Sequence, residues 1–143
     1  MSKLYEADFY TWALTQADAV KRRSANELDW DNLAEELAAL GRSELRELHS
    51  RYVVLLVHLL KWAHQPGRRS KSWINSISVA RRAIEKLLRD SPGLQPAELD
   101  EFLDAYESAR LTAAAETHLP VDAFPTTPAF TIEQAKGADW LPD

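Results

Sequence analysis

His58, Lys61 and Gln65 fall at i, i+3 and i+7 within the stretch Arg51–Pro66. On a helix that spacing sets an imidazole, an ammonium and a carboxamide along one flank. Glu47 and Arg51 lie on the same flank one to three turns earlier. Together with Glu36, this set has the parts of a small acid–base site. Glu36 or His58 would handle protons, and Lys61 would hold an anion. The catalytic candidates are therefore Glu36, His58 and Lys61. The plainer reading of the same residues is structural. A lysine and a histidine on a mostly buried helix must pair with acids on a neighbour, reach water or lose charge.

The helix that carries them is read from its apolar residues. From Tyr52 to Leu60 only His58 is polar. Nine residues fall far short of the ~20 that cross a bilayer. Leu48, Tyr52, Leu55, Leu59 and Trp62 make one stripe, with Leu56 and Ala63 beside it. Val53, Val57 and Leu60 lie roughly opposite. A helix apolar on nearly every side belongs at the centre of a bundle. Pro66 ends it.

Other chemistries find less support. There is no cysteine, so disulfides, thiolate nucleophiles and zinc–thiolate sites are excluded. The chain has no P-loop, dinucleotide fingerprint or His-Glu-x-x-His pattern. Glu36, His58 and Asp8 would be the donors of a metal site. The Glu-x-x-His pairs of ferritin-like bundles are missing, however, and neither metal nor cofactor is expected. Nucleic acid would be met by Arg68, Arg69, Lys71, Arg81 and Arg82, with Trp73 among them. Against this, Trp73 opens an apolar seam and the net charge is −5, the wrong sign for a polyanion's partner.

That charge is unevenly spread. Residues 1–50 carry six Lys/Arg and ten Asp/Glu, residues 51–90 nine and two, and residues 91–143 two and ten. Either the acidic ends fold over the basic middle and neutralise it, or the middle stays open for an anion. The first is the expectation.

Along the chain, residues 6–22 fit an amphipathic helix through Phe9, Trp12, Ala13, Gln16, Ala17 and Val20. Asp8 either caps its first turn or faces inward as a counter-ion. Asp29 or Asp31 caps the next helix, whose apolar edge is Leu33, Leu37 and Leu40. Uninterrupted, that helix would run from Trp30 to His64, about 52 Å at ~1.5 Å per residue. A domain of this length has a radius of gyration near ~14–15 Å. A kink or break is therefore expected at Gly41-Arg42-Ser43, failing which the projecting end packs in a dimer. After the loop Gln65–Ser70, a helix to about Arg89 has the seam Trp73, Ile77, Ala80, Ile84 and Leu87, with Leu88 beside it. Arg81, Arg82, Lys86 and Arg89 fall off that seam. Residues 97–117 form a helix with Leu99, Phe102, Leu103, Tyr106, Ala109 and Ala113 on one face. Its acidic face is the natural partner for Arg81–Arg89, within the chain or in a second copy.

The last 24 residues hold four prolines, and Thr131–Gln134 resembles a capping box for a short helix. The expected fold is all-α: one domain over 1–143, a compact bundle of about five helices around the central one over 1–119, and a Pro-rich tail over 120–143 wrapped across it. The N-terminus lacks an apolar signal segment, so a cytoplasmic protein without membrane contact is expected.

One series of motifs resembles a known family. It comprises Leu4-Tyr5-x-x-Asp8-Phe9-x-x-Trp12, Asn32-Leu33-Ala34-Glu35-Glu36-Leu37 and Leu40-Gly41-Arg42-Ser43. Leu56-x-His58-Leu59-Leu60-Lys61-Trp62-x-x-Gln65-Pro66, Ser72-Trp73 and Asp90-Ser91-Pro92 continue it. The chain resembles the bacterial domain of unknown function 29 family over nearly its whole length. The resemblance implies an all-helical bacterial domain and carries no catalytic residues. Its polar motif members are Asp8, Glu36, His58, Lys61 and Gln65, the candidates for ligand binding. The expected function is a non-enzymatic helical module for protein interaction or self-association, with a dimer as the simplest form. A small enzyme or anion-binding domain is the alternative, and nucleic-acid binding the second.

Overall fold

Asp8 ends one helix and starts the next. Its N–H donates to Leu4 O at 2.8 Å, and its carboxylate accepts from Thr11 N at 3.0 Å and Thr11 Oγ1 at 2.6 Å. Of the two roles foreseen for Asp8, it takes the cap. The Thr11 side-chain bond, then the backbone bond, holds its carboxyl below the ordinary value. The expected helix over 6–22 is therefore two helices, α1 (Ser2–Ala7) and α2 (Phe9–Lys21). An aspartate whose side chain bonds its own third neighbour's N–H favours a fresh start over continuation.

The computed structural model describes residues 2–143 and contains no strand among them. The remaining α-helices are α3 (Trp30–His64), α4 (Lys71–Asp90), α5 (Glu98–Thr117) and α6 (Ile132–Lys136), making six where about five were expected. Short 3-10 turns at Ala25–Glu27, Pro66–Arg68, Pro92–Ala97 and Val121–Ala123 fill most of the connections.

The chain divides into two compact units, one up to Ser43 and one from Glu44. Helix α3 enters both and is unbroken over 35 residues, so no break occurs at Gly41. Leu40 and Ser43 show how the helix passes this point. Ser43 Oγ donates back to Leu40 O at 2.7 Å and stays inside the helix instead of recapping it. A glycine's ~1 kcal/mol handicap is too small to stop a helix with good formers on both sides.

In the first unit, α1 and α2 fold back on the start of α3. Asp29 is the pin. Its carboxylate accepts from Trp12 Nε1 at 3.0 Å and from Asn32 Nδ2 at 2.8 Å, while its N–H donates to Gln16 Oε1 at 2.7 Å. Tyr5 donates to Glu36 and sits edge-on to Trp12, with Phe9 beside both rings. At the turn, Arg22 pairs with Asp18 and Glu27, and Ser24 donates to Glu27.

In the second unit the core is drawn from α3, α4, α5 and the C-terminal segment. Leu48, Tyr52, Leu55, Leu56, Leu59 and Leu60 of α3 are buried, while Val54 faces out. On α4 the buried line is Ile77, Ala80, Ile84 and Leu88, so Leu88 takes the place expected of Leu87. On α5 Phe102, Ala105, Tyr106, Ala109 and Ala113 are buried, whereas Leu99 and Leu103 are exposed. The alanines explain the rotation: they let backbones approach closely, so the contact centres on them and the leucines are displaced to its shoulder. Phe124, Phe130 and Ala135 complete the core from the Pro-rich segment. A reciprocal capping box between Thr131 and Gln134 starts α6.

Arg81 departs most from expectation. It is 8% exposed and not on a solvated face. Its guanidinium donates from Nε to Ala135 O at 2.8 Å and through its two terminal nitrogens to Ala138 O at 3.3 Å and Trp140 O at 2.6 Å. Arg69 and Arg110 act alike. Arg69 donates to Trp62 O and Asp143 O and stacks on the Trp62 ring, and Arg110 donates to Phe124 O. Free carbonyls of a proline-interrupted segment need donors, and arginine supplies several from one side chain.

Candidate interaction surface

The polar candidates are placed in different units. Glu36 belongs to the first unit and accepts from Tyr5. His58, Lys61 and Gln65 belong to the second. His58 Nδ1 lies 2.7 Å from Val54 O one turn earlier, which fixes that nitrogen as the donor. Lys61 Nζ pairs with Glu116 at 2.9 Å and sits 5.1 Å from the centre of the Trp73 ring. Gln65 reaches Thr117 O at 3.5 Å. Each residue has its partner in its own unit. Among the described residues no group of three or more His, Asp or Glu is placed to hold a metal ion.

The basic candidates divide as well. Arg69 and Arg81 are tied to C-terminal carbonyls, and Arg68, Lys71 and Arg82 are exposed. The charge segregation is not resolved as expected. Among the described residues, Lys61–Glu116 is the single ion pair between 51–90 and 91–143. No residue of Arg81–Arg89 pairs with α5; Lys86 and Arg89 turn to Asp90 at their own helix end. The α5 face that meets the core is apolar, which leaves Asp100, Asp104 and Glu107 in solvent.

Phe9 and Val20 belong to the amphipathic pattern of residues 6–22, and Leu37 and Leu40 to the apolar edge of the next helix. The structure buries none of them. In the first unit Tyr10 is 73%, Leu37 67%, Leu40 64% and Trp30 63% exposed, with Phe9, Leu14 and Val20 at about half. Among the described residues of that unit only Trp12, Gln16, Ala19 and Asp29 are buried.

Five of these residues share one side. On α2 the inward direction is set by Trp12 and Gln16, on α3 by Asp29 and Glu36. At 100° per residue Phe9 and Val20 lie about 40–60° round from that direction on α2, and Leu40, Leu37 and Trp30 about 30–110° round in the same sense on α3, whereas Tyr10 and Leu14 lie about 140–180° round. The α1–α2 stretch runs opposite to the stretch from Glu27 to Glu36, because Tyr5 meets Glu36, Trp12 meets Asp29 and Gln16 meets Glu27. Rotations of the same sense on antiparallel neighbours point the same way. Phe9 and Val20 thus form one apolar face with Trp30, Leu37 and Leu40, and Tyr10 and Leu14 are exposed on the outer side of α2. On α3 the steps Trp30, Leu33, Leu37 and Leu40 alternate three and four, the spacing of a helix–helix seam. Gly41 flanks it, with nothing within 4 Å of where a Cβ would stand. The available signal was arc width: α2 carries apolar residues over more of its circumference than one neighbouring helix can cover.

Residues 4–141 match the family described as Domain of unknown function DUF29. The chain belongs to that family. The match spans both units of this DUF29 domain, from the Tyr5–Glu36 contact to the C-terminal segment held by Arg81. No curated protein and no solved structure matches it. Among the described residues no helix is long and apolar enough to cross a membrane.

Proposed function

We propose that this DUF29 domain is a non-enzymatic helical module that self-associates through the α2–α3 face of its first unit. The observation that carries this is the exposed apolar face itself. Weighting Phe9, Val20, Trp30, Leu37 and Leu40 by their exposure gives roughly 600 Å² of open apolar and aromatic surface on one side, at the top of the ~300–600 Å² range for the largest patch of a typical monomer. A stable protein interface buries about 800 Å² per partner, and this face would supply its apolar core.

The occupant is a second copy of the chain. The face presents no unpaired cation or carboxylate at its centre that would demand an oppositely charged partner. Its three–four seam on α3 is of the kind that pairs with itself. Two such hairpins laid face to face about a two-fold axis bury the same residues on each copy, as an isologous contact requires. The result is a four-helix arrangement with Leu37 and Leu40 at its centre. The second unit then serves as the body, its Pro-rich C-terminal segment strapped by Arg69, Arg81 and Arg110.

The test is light scattering behind size-exclusion chromatography over a wide range of protein and salt concentration. The expected result is a molar mass twice that of one chain, falling on dilution and insensitive to salt, because apolar burial is not screened. A molar mass of one chain at every concentration refutes the proposal.

A further inference from the structure

A cleft of about 570 Å³ opens in the second unit between one face of α4 and the segment from the end of α6 onward. Its charged lining is Arg81, Arg82, Glu85 and Arg89 from α4, with Lys136 and Asp139 from the other wall. Four cations face two carboxylates. The volume lies within the ~300–1,000 Å³ of small-molecule sites.

The cations are unequally occupied. Lys136 is taken by Glu98 at 2.8 Å. Arg89 lies 3.8 Å from Asp90, which Lys86 already holds at 2.9 Å. Arg82 has no ion pair among the described residues, although Glu85 stands three residues on. Arg81 is the unusual member. It is nine-tenths buried, yet its partners are three carbonyl oxygens and no carboxylate. A guanidinium has five N–H donors. Three bonds leave two free, one on each terminal nitrogen. Those bonds also lock the plane of the group, so the fork is held before any ligand arrives.

A buried, rigid guanidinium that is bonded to carbonyls alone, with Asp139 acting on it only through space, suits an oxyanion, which a fork of two parallel N–H groups binds bidentately. We propose that this cleft binds the phosphate or carboxylate group of a small molecule, with Arg81 as the fixed fork and Arg82 and Arg89 as flanking charges. Glu85 and Asp139 set the limit on the other side. They disfavour a large polyanion and leave room for one compact, doubly charged group. This site is independent of the self-association proposed above.

The experiment is calorimetric titration of the full chain with inorganic phosphate, a simple phosphomonoester and malonate, each against sodium chloride of matched ionic strength. Saturable binding of phosphate or malonate is expected, and comparing the phosphomonoester and malonate arms distinguishes a phosphate source from a carboxylate source. The paired variant Arg82→Gln/Arg89→Gln alters two exposed side chains and keeps the fold. It is expected to weaken binding by about tenfold or more. The control pair Arg68→Gln/Lys71→Gln removes equal charge outside the cleft and is expected to leave affinity unchanged. Absence of saturable binding in every arm overturns the proposal. So does equal weakening by the two variant pairs, which would mean unspecific attraction to positive charge.

Discussion

Leu37→Gln/Leu40→Gln separates folding from association, because both side chains already face solvent in the single chain. They are 67% and 64% exposed. Burying a whole leucine is worth ~1.5–3 kcal/mol, so covering the remaining two-thirds is worth about 1–2 kcal/mol each. A two-fold contact buries the pair on both copies, four side chains in all. The double variant should therefore cost the dimer about 4–8 kcal/mol, roughly a thousandfold or more in dissociation constant. The fold should lose little, within about 0.5 kcal/mol, as for most exposed substitutions, and glutamine is as good a helix former as the site needs. Sedimentation equilibrium gives the dissociation constant. Denaturant unfolding at a concentration where the wild type is monomeric gives the fold's stability. If the variant associates as tightly as the wild type, the face is not the interface. If it unfolds at concentrations where the wild type is monomeric, the two leucines are holding the single chain together, and the argument from exposure fails.

Three other outcomes are expected. Gly41→Ala should stabilise the monomer by about 0.5–1 kcal/mol, since α3 is helical there and a Cβ meets nothing within 4 Å; an unchanged denaturant midpoint would mean the helix is interrupted at Gly41 in solution. Tyr52 donates to Glu98 at 2.5 Å, and burial, then that bond, raises its pKa from 10.0. Tyr52→Phe should cost about 1 kcal/mol at neutral pH. A raised folded-state pKa gives stability that is present below pH 10 and lost above it. The wild type should therefore lose stability faster than the variant in alkaline denaturation series, and parallel curves would contradict this. On the acid side, the Arg22 and Ser24 bonds hold Glu27 at about 2. Asp29 is lowered by its Asn32 bond, and burial lowers His64 from 6.5. All three are depressed on folding, so each contributes stability above its unfolded value that is lost as pH falls. His64 acts first, below 6.5, and Glu27 only from about 4.5 to 2. Glu27→Gln should flatten the lower part of that decline in stepped-pH denaturation and leave the upper part unchanged.

How much of this was legible in the residues depended on which forces were local. The central stripe from Leu48 to Leu60 was legible because burial on several sides leaves an apolar run with one polar residue, His58. The cap at Asp8 and the capping box at Thr131 were legible because each is closed by atoms three residues apart. Gly41 misled because the length argument assumed one compact body. A helix of 35 residues is awkward for one such body, whereas here the chain divides at Ser43 and each part of α3 has its own companions. The candidate site was the least legible part. His58, Lys61 and Glu36 have suggestive chemistry, but their partners are Val54, Glu116 and Tyr5, and no spacing rule announces them.

Arginine 81 shows where sequence reasoning meets its limit and what replaces it. By helical position it lies one residue past Ala80, off the apolar line, and charge counting sent it to an acidic helix. The C-terminal segment decides otherwise. The five-residue α6 ends at Lys136, so the carbonyl of Ala135 has no partner further along the helix and those of Ala138 and Trp140 lie beyond it; side-chain donors must meet them. Only a long multidentate donor on a neighbouring helix can meet three at once. Drawing Arg81 inward removes it from the charge balance of α4 and burns no carboxylate in return. A chain that satisfies backbone oxygens with a full positive charge leaves that charge without a bonded carboxylate at the wall of a cleft, where Asp139 offsets it only through space. The same contacts that close the C-terminal segment over the core thus fix a cation at that wall, and the demand of carbonyls left free at and beyond the end of α6 is a better guide to it than the spacing of charges along α4.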